Sequence, residues 1–162
     1  LLRAYNNNTY VRPILEYISV VWSPNLKCEI DALERVQRRF TKRLTGMSLN
    51  SYSERLTRLD LVTLELRRLH SDLVMCYKIV FGLIDFEFND FFTFSPSGVT
   101  RGHEFKLYKT RAKGARNSFF TTRVINVWNC ISPDTVDFHS FCTFKRTIKL
   151  YDFSPFLKAA MS

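Results

Sequence analysis

The chain has 162 residues, room for one domain or a pair of small ones, and its 46% apolar content with fifteen Phe and seven Tyr excludes a disordered or low-complexity polymer. Its formal charge of +9 is unevenly spread: residues 33–68 carry nine Lys or Arg against four acids, residues 101–123 carry seven against one, and the remainder is net −2. Two basic zones on a near-neutral body point to a polyanion, because each phosphate neutralised releases counterions; an anionic membrane surface is the rival.

In chain order, Thr9 to Trp22 reads first as an amphipathic helix, with Val11, Ile14, Leu15, Ile18, Val21 and Trp22 at helical spacing and Ser23-Pro24 as its stop. Asn6-Asn7-Asn8 separates it from Leu1 to Tyr5. The second helix runs from about Lys27 to Leu44 and stops at Gly46. Ser51-Tyr52-Ser53-Glu54 is a capping box that opens a short helix to Leu59. The longest helix is expected from about Thr63 to Phe81, its second half apolar nearly all round and therefore the core spine. Arg67 and Arg68 lie near its N-terminal end, where the helix dipole disfavours cations, so a phosphate or a neighbouring carboxylate must account for them.

Residues 84–94 form an acidic, Phe-rich stretch readable as short helix or strand, and Ser95-Pro96-Ser97-Gly98 marks the internal boundary. Glu104 to Arg111 alternates as a strand, and Lys113 to Arg116 is a turn. Asn117-Ser118 caps a helix through Phe120, Val124, Val127, Trp128 and Ile131. Asp137 caps the last helix, from Phe138 to about Tyr151, with Phe141, Phe144 and Ile148 inward and Lys145, Arg146 and Lys149 outward.

The second helix organises the reading. At about 100° per residue Ile30, Leu33, Val36, Phe40 and Leu44 share one arc, while Arg35, Arg38, Arg39, Lys42 and Arg43 gather opposite. An ordinary solvated face would mix signs to gain i,i+4 pairs, but between Leu33 and Leu44 the only acid is Glu34. One face therefore packs and the other awaits an anion.

Membrane insertion is not expected, since the longest apolar run, Leu73 to Tyr77, falls far short of the roughly 20 residues a span needs. Cys28, Cys76, Cys130 and Cys142 form no CxxC and read as reduced and intracellular, nuclear or cytoplasmic. The start lacks Met and a signal-peptide core, as in a chain cut from something longer. Cys130, His139 and Cys142 lack a fourth ligand and the spacing of a zinc knuckle, so they read as buried thiols and a surface imidazole, and no metal site is assigned. His70 and His103 have no Ser or Cys nucleophile at a telling spacing.

Tyr10-Val11-Arg12-Pro13-Ile14-Leu15-Glu16-Tyr17, Val20-Val21-Trp22-Ser23-Pro24 and Leu33-Glu34-Arg35-Val36-Gln37-Arg38-Arg39-Phe40-Thr41 resemble the region after the palm of non-LTR, LINE-type, jockey-like retrotransposon reverse transcriptases. Leu64-Glu65-Leu66-Arg67-Arg68-Leu69, Cys76-Tyr77-Lys78-Ile79 and Arg123-Val124-Ile125-Asn126 are similar to the same family. The resemblance implies a thumb that grips the template-primer duplex and a downstream region used in target-primed reverse transcription. It does not imply catalysis by this chain: the family holds two Mg²⁺ ions through a paired-Asp motif in its palm, and no two acids are adjacent here. The metal centre is expected upstream of Leu1 in the parent polypeptide or lost, so Mg²⁺ belongs to the parent polymerase and this chain needs no cofactor.

The expected architecture is mainly α, a thumb-like helical bundle over 1–94 followed by a smaller, basic, mostly helical unit over 95–162 with a short β-hairpin. The expected function is nucleic-acid binding without enzymatic activity. Arg35, Arg38, Arg39, Lys42 and Arg43, with Arg67 and Arg68, would hold phosphates of an RNA or RNA/DNA hybrid. Lys106, Lys109, Arg111, Lys113 and Arg116 would make a second contact with Tyr108 stacking on a base. The alternative is a structural or protein-interaction fragment, or a genomic relic, whose basic face docks on the palm of its parent or on a partner protein and has no nucleic-acid role of its own.

Overall fold

The helical periodicities are realised in six α-helices over the part of the chain that this computed structural model describes, residues 19–96, 102–109 and 114–158. These are α1 (Lys27–Lys42), α2 (Tyr52–Arg58), α3 (Leu64–Val80), α4 (Phe88–Phe91), α5 (Phe120–Cys130) and α6 (Phe141–Thr147). The protein is mainly α. The helix expected from Thr9 falls outside the described residues up to Ile18, and residues 19–21 form a turn rather than a last helical turn.

Two compact units divide within α3: one holds Pro24–Arg68 with residues 157–158, the other Val20–Ser23 and Leu69–Phe156. The division falls within α3 rather than at the boundary expected at Ser95-Pro96-Ser97-Gly98.

In the first unit the capping box forms as its spacing demands: Ser51 Oγ accepts from Glu54 N at 3.2 Å, and Glu54 Oε2 accepts from Ser51 N at 2.8 Å. Gly46 adopts a φ of 77° after α1, a left-handed backbone conformation suited to glycine. The C-terminal stretch is tied back by Lys158, whose backbone N–H donates to Glu65 Oε1 at 2.7 Å and whose ammonium donates to the Asn25 carbonyl at 2.8 Å.

In the second unit the latter half of α3 is the spine, with Leu73, Cys76, Tyr77 and Ile79 all buried. Tyr77 stacks on Phe144 of α6 at 4.4 Å and donates its hydroxyl proton to the Phe138 carbonyl at 2.9 Å, so the largest ring on the spine leaves no unsatisfied oxygen. Trp128 of α5 is fully buried and donates from Nε1 to the Phe105 carbonyl at 2.7 Å. An ion pair of this unit is bidentate: Arg123 Nε and Nη2 donate to the two Asp72 carboxylate oxygens at 2.7 and 2.8 Å. The same guanidinium also donates to the carbonyls of Ser118 and Val20, so a carboxylate that is 3% exposed has a partner with matching geometry.

Three local expectations differ from what is found. The short β-hairpin is absent among the described residues, where pairing reduces to one antiparallel bridge, Phe94 with Leu107. Its outer edge is met by a side chain rather than a strand: Asn129 Oδ1 accepts from Leu107 N at 2.9 Å and Nδ2 donates to Leu107 O at 2.8 Å. The last helix starts at Phe141, because Ser140 caps Thr143 N while Asp137 turns on the N–H of His139 at 2.7 Å. Before α5 the Asn117-Ser118 pair belongs to a 3-10 turn, Gly114–Ser118, and Phe119 takes the N-cap position without a side-chain bond.

Candidate nucleic-acid interface

The inward face of α1 is polar, and that is the main departure from the periodicity reading. Its buried residues are Ile30, Glu34, Gln37 and Thr41; of the expected apolar arc, Leu33, Phe40 and Leu44 are half-buried and Val36 is 41% exposed. Each of the three buried polar side chains has a partner from the segment that follows, although Gln37 Oε1 itself meets no donor. Glu34 Oε1 accepts the Tyr52 hydroxyl proton, and Glu34 Oε2 accepts the backbone N–H of Leu64 at 2.9 Å, capping the start of α3. Gln37 Nε2 donates to the Tyr52 hydroxyl and to the Val62 carbonyl, both at 3.0 Å. Thr41 Oγ1 donates to the Gln37 carbonyl and accepts from Arg55 Nε at 3.1 Å. Arg55, 6% exposed, also donates to the Asn50 carbonyl.

Burial raises the Glu34 pKa above the ordinary carboxylate value, a rise that the Tyr52 and Leu64 hydrogen bonds only partly offset. Burial likewise pushes the Tyr52 phenol up, reinforced by its bond to the Glu34 carboxylate.

With that register fixed, the opposite side of α1 presents Arg35, Arg39 and Lys42, all exposed, and Arg43 follows at the C-cap, also exposed. Arg35, Arg39 and Lys42 make no hydrogen bond or ion pair among the described residues. Arg38 is half-buried, its guanidinium carbon 5.0 Å from the centre of the Tyr52 ring, so it stands at the margin of the face. Arg67 is half-buried. Arg68 is only 4% exposed and is withdrawn from the expected phosphate contact: α3 turns by about 100° per residue, so adjacent arginines cannot share one outward direction.

In the second unit Tyr108, Lys109 and Arg116 are exposed and Lys106 is half-buried, alternating with Leu107, which is 1% exposed. Arg111 and Lys113 lie outside the described residues. His103 is buried among the rings of Phe105, Trp128 and Phe138, where Nε2 meets the Trp128 carbonyl at 2.9 Å and burial lowers its pKa. Cys130 and Cys142, expected to be buried, are exposed, as is His139. Among the described residues no group of three His, Cys, Asp or Glu side chains is placed to hold a metal.

The residues missed in sequence are Gln37, Tyr52 and Arg55, which orient α1, and the Asp72–Arg123 pair inside the second unit. Their only local signal is the spacing of Glu34, Gln37 and Thr41, a helical stripe of polar residues. Among the described residues no helix is long and apolar enough to cross a membrane. Comparison of the chain with family models, with curated proteins and with solved structures finds no match.

Proposed function

We propose that the chain is a nucleic-acid-binding element that grips the sugar-phosphate backbone through the outer face of α1, as the thumb of a non-LTR retrotransposon reverse transcriptase would grip its template-primer. It contributes binding rather than chemistry. The observation that carries this reading is the trio Arg35, Arg39 and Lys42, exposed and without carboxylate partners among the described residues. On a helix they span an arc of about 60° and roughly 10 Å of axis. Three phosphates of one strand cover a similar length at about 3.4 Å each. Arg43 extends the row. Such contacts hold a backbone without reading bases, so an RNA or RNA/DNA hybrid is bound with little sequence preference and with steep salt dependence. Lys106, Tyr108, Lys109 and Arg116 supply a separate basic surface in the second unit.

The test is an anisotropy titration of the chain and of Arg35→Ala/Arg39→Ala/Lys42→Ala with a labelled RNA/DNA hybrid at several salt concentrations. Loss of three phosphate contacts is expected to reduce the log–log salt slope by roughly 2 to 3. An unchanged slope and affinity would remove α1 from the grip.

A further inference from the structure

The acidic, Phe-rich segment between α3 and Pro96 is a surface feature that phosphate binding does not use. Between Lys78 and Arg101 the sequence holds no cation, yet Asp85, Glu87 and Asp90 fall there, in a chain of net charge +9. All three are exposed, and their carboxylates make no hydrogen bond or ion pair among the described residues.

The rings between these acids form a ladder. Phe92, 3% exposed, anchors it edge-on against Phe120 at 5.8 Å. Outside that anchor Phe88 stacks on Phe94 at 4.4 Å, and Phe86 tilts on Phe91 at 5.5 Å. Phe86 is 56% exposed and Phe94 46%. The backbone under the rings is held by Phe92 N–H donating to Phe88 O at 2.9 Å and Ser95 N–H donating to Lys106 O at 2.8 Å. The rings are thus displayed on a fixed support.

Contiguous exposed aromatic surface of this kind marks a contact site, and the charge around it selects the occupant. A polyanion or an anionic lipid surface is repelled by three unpaired carboxylates. A guanidinium satisfies both components at once, since it stacks on a Phe face and pairs with a carboxylate in plane, which a compact ammonium does less well. We infer that this strip docks an arginine-bearing, partly apolar segment of a partner protein, with Phe86 and Phe94 as stacking faces and Asp85, Glu87 and Asp90 as charge partners.

The probe is a short fluorescein-labelled peptide of alternating Arg and Leu, titrated against the whole chain, with a Glu and Leu counterpart as control. Two variants are compared: Phe86→Ser/Phe94→Ser, and Asp85→Asn/Glu87→Gln/Asp90→Asn, all at exposed positions. Both are expected to weaken the arginine peptide by roughly tenfold or more without weakening RNA/DNA-hybrid binding, which the loss of three negative charges can only favour, and this separates the surface from the α1 grip. Four results overturn the inference: no binding by the unaltered chain, equal binding of the acidic counterpart, indifference to either variant, or a concentration-dependent self-association abolished by Phe86→Ser/Phe94→Ser, which would make a second copy the occupant.

Discussion

Replacing Tyr52 by Phe isolates the hydroxyl that locks α1 in register. The ring, and with it the contacts of Arg38 at 5.0 Å and Arg55 at 5.5 Å, stays in place. What is lost is one donor to the Glu34 carboxylate and one acceptor for Gln37 Nε2, which keeps the Val62 carbonyl. Glu34 is 2% exposed, so water does not replace the missing bond. A hydrogen bond to a charged group contributes about 1.5–3 kcal/mol, and at a urea m-value of about 2 kcal/mol/M the midpoint should fall by roughly 1 M at pH 7. The sign of the pH dependence follows from the raised Glu34 pKa. Below about pH 4 the carboxyl is protonated in both folded and unfolded chains. As pH rises, the unfolded chain ionises first, and stability falls until the folded carboxyl ionises too. Tyr52→Phe removes a bond that lowers this pKa, so it should raise it further, and the stability defect should shrink towards about 1 kcal/mol in acid, where only a neutral hydrogen bond is missing. Urea titrations of both proteins between pH 4 and 8 measure this. A defect that is constant with pH, or that grows in acid, would refute the account of Glu34 as a buried carboxylate held by Tyr52.

Asp72→Asn should destabilise the second unit by about 3–5 kcal/mol in urea unfolding, because it removes the charge that pairs with the Arg123 guanidinium in a buried, bidentate contact; Asp72→Leu/Arg123→Met should recover much of that loss. Arg68→Ala and Arg39→Ala should divide by readout: the buried side chain affects unfolding and leaves hybrid binding alone, while the exposed one lowers the salt slope by about 1 with stability within about 0.5 kcal/mol. Under native conditions a thiol reagent should modify Cys28, Cys130 and Cys142 and spare Cys76, which is buried and whose thiol is pushed up by that burial; denaturant should release the fourth equivalent.

Helices α1, α2 and α3 were legible because their signals are local. The Ser51 and Glu54 box, the glycine after α1 and the apolar spacing of α3 each act over a few residues. The inward face of α1 was not legible, since periodicity assigns apolar side chains to the core and has no way to credit a polar one with a distant partner. Glu34 meets Tyr52 eighteen positions on and Leu64 thirty positions on, and Gln37 meets Val62 twenty-five on. The same limit applies to Arg67 and Arg68, where the pattern identifies two cations and tertiary packing decides which one turns in. The strand expected from Glu104 to Arg111 failed for a related reason. Alternation between Lys106, Leu107 and Tyr108 is present, but the second edge is met by Asn129, a helical residue 22 positions away. The basic residues of α1 survived as an outward set because they occupy an arc broad enough that a shift of register still leaves three of them outside.

The burial of Glu34 also explains why that set is unneutralised. Glu34 and Arg38 stand i,i+4 in the favourable order, and on a solvated helix they would pair and weaken the positive face. The fold instead turns Glu34 inward to cap α3, and Arg38 turns towards Tyr52. A rival explanation of the remaining cations is the helix dipole, since Arg39 and Lys42 fall in the last turn of α1, where positive charge adds about 0.3–1 kcal/mol each. The dipole does not account for Arg35, which stands in the middle of the helix, nor for exposure on one arc rather than around the cylinder. The two explanations part at Arg35→Ala: a dipole role predicts no change anywhere, whereas a phosphate contact predicts unchanged stability with a salt slope lower by about 0.7 to 0.9.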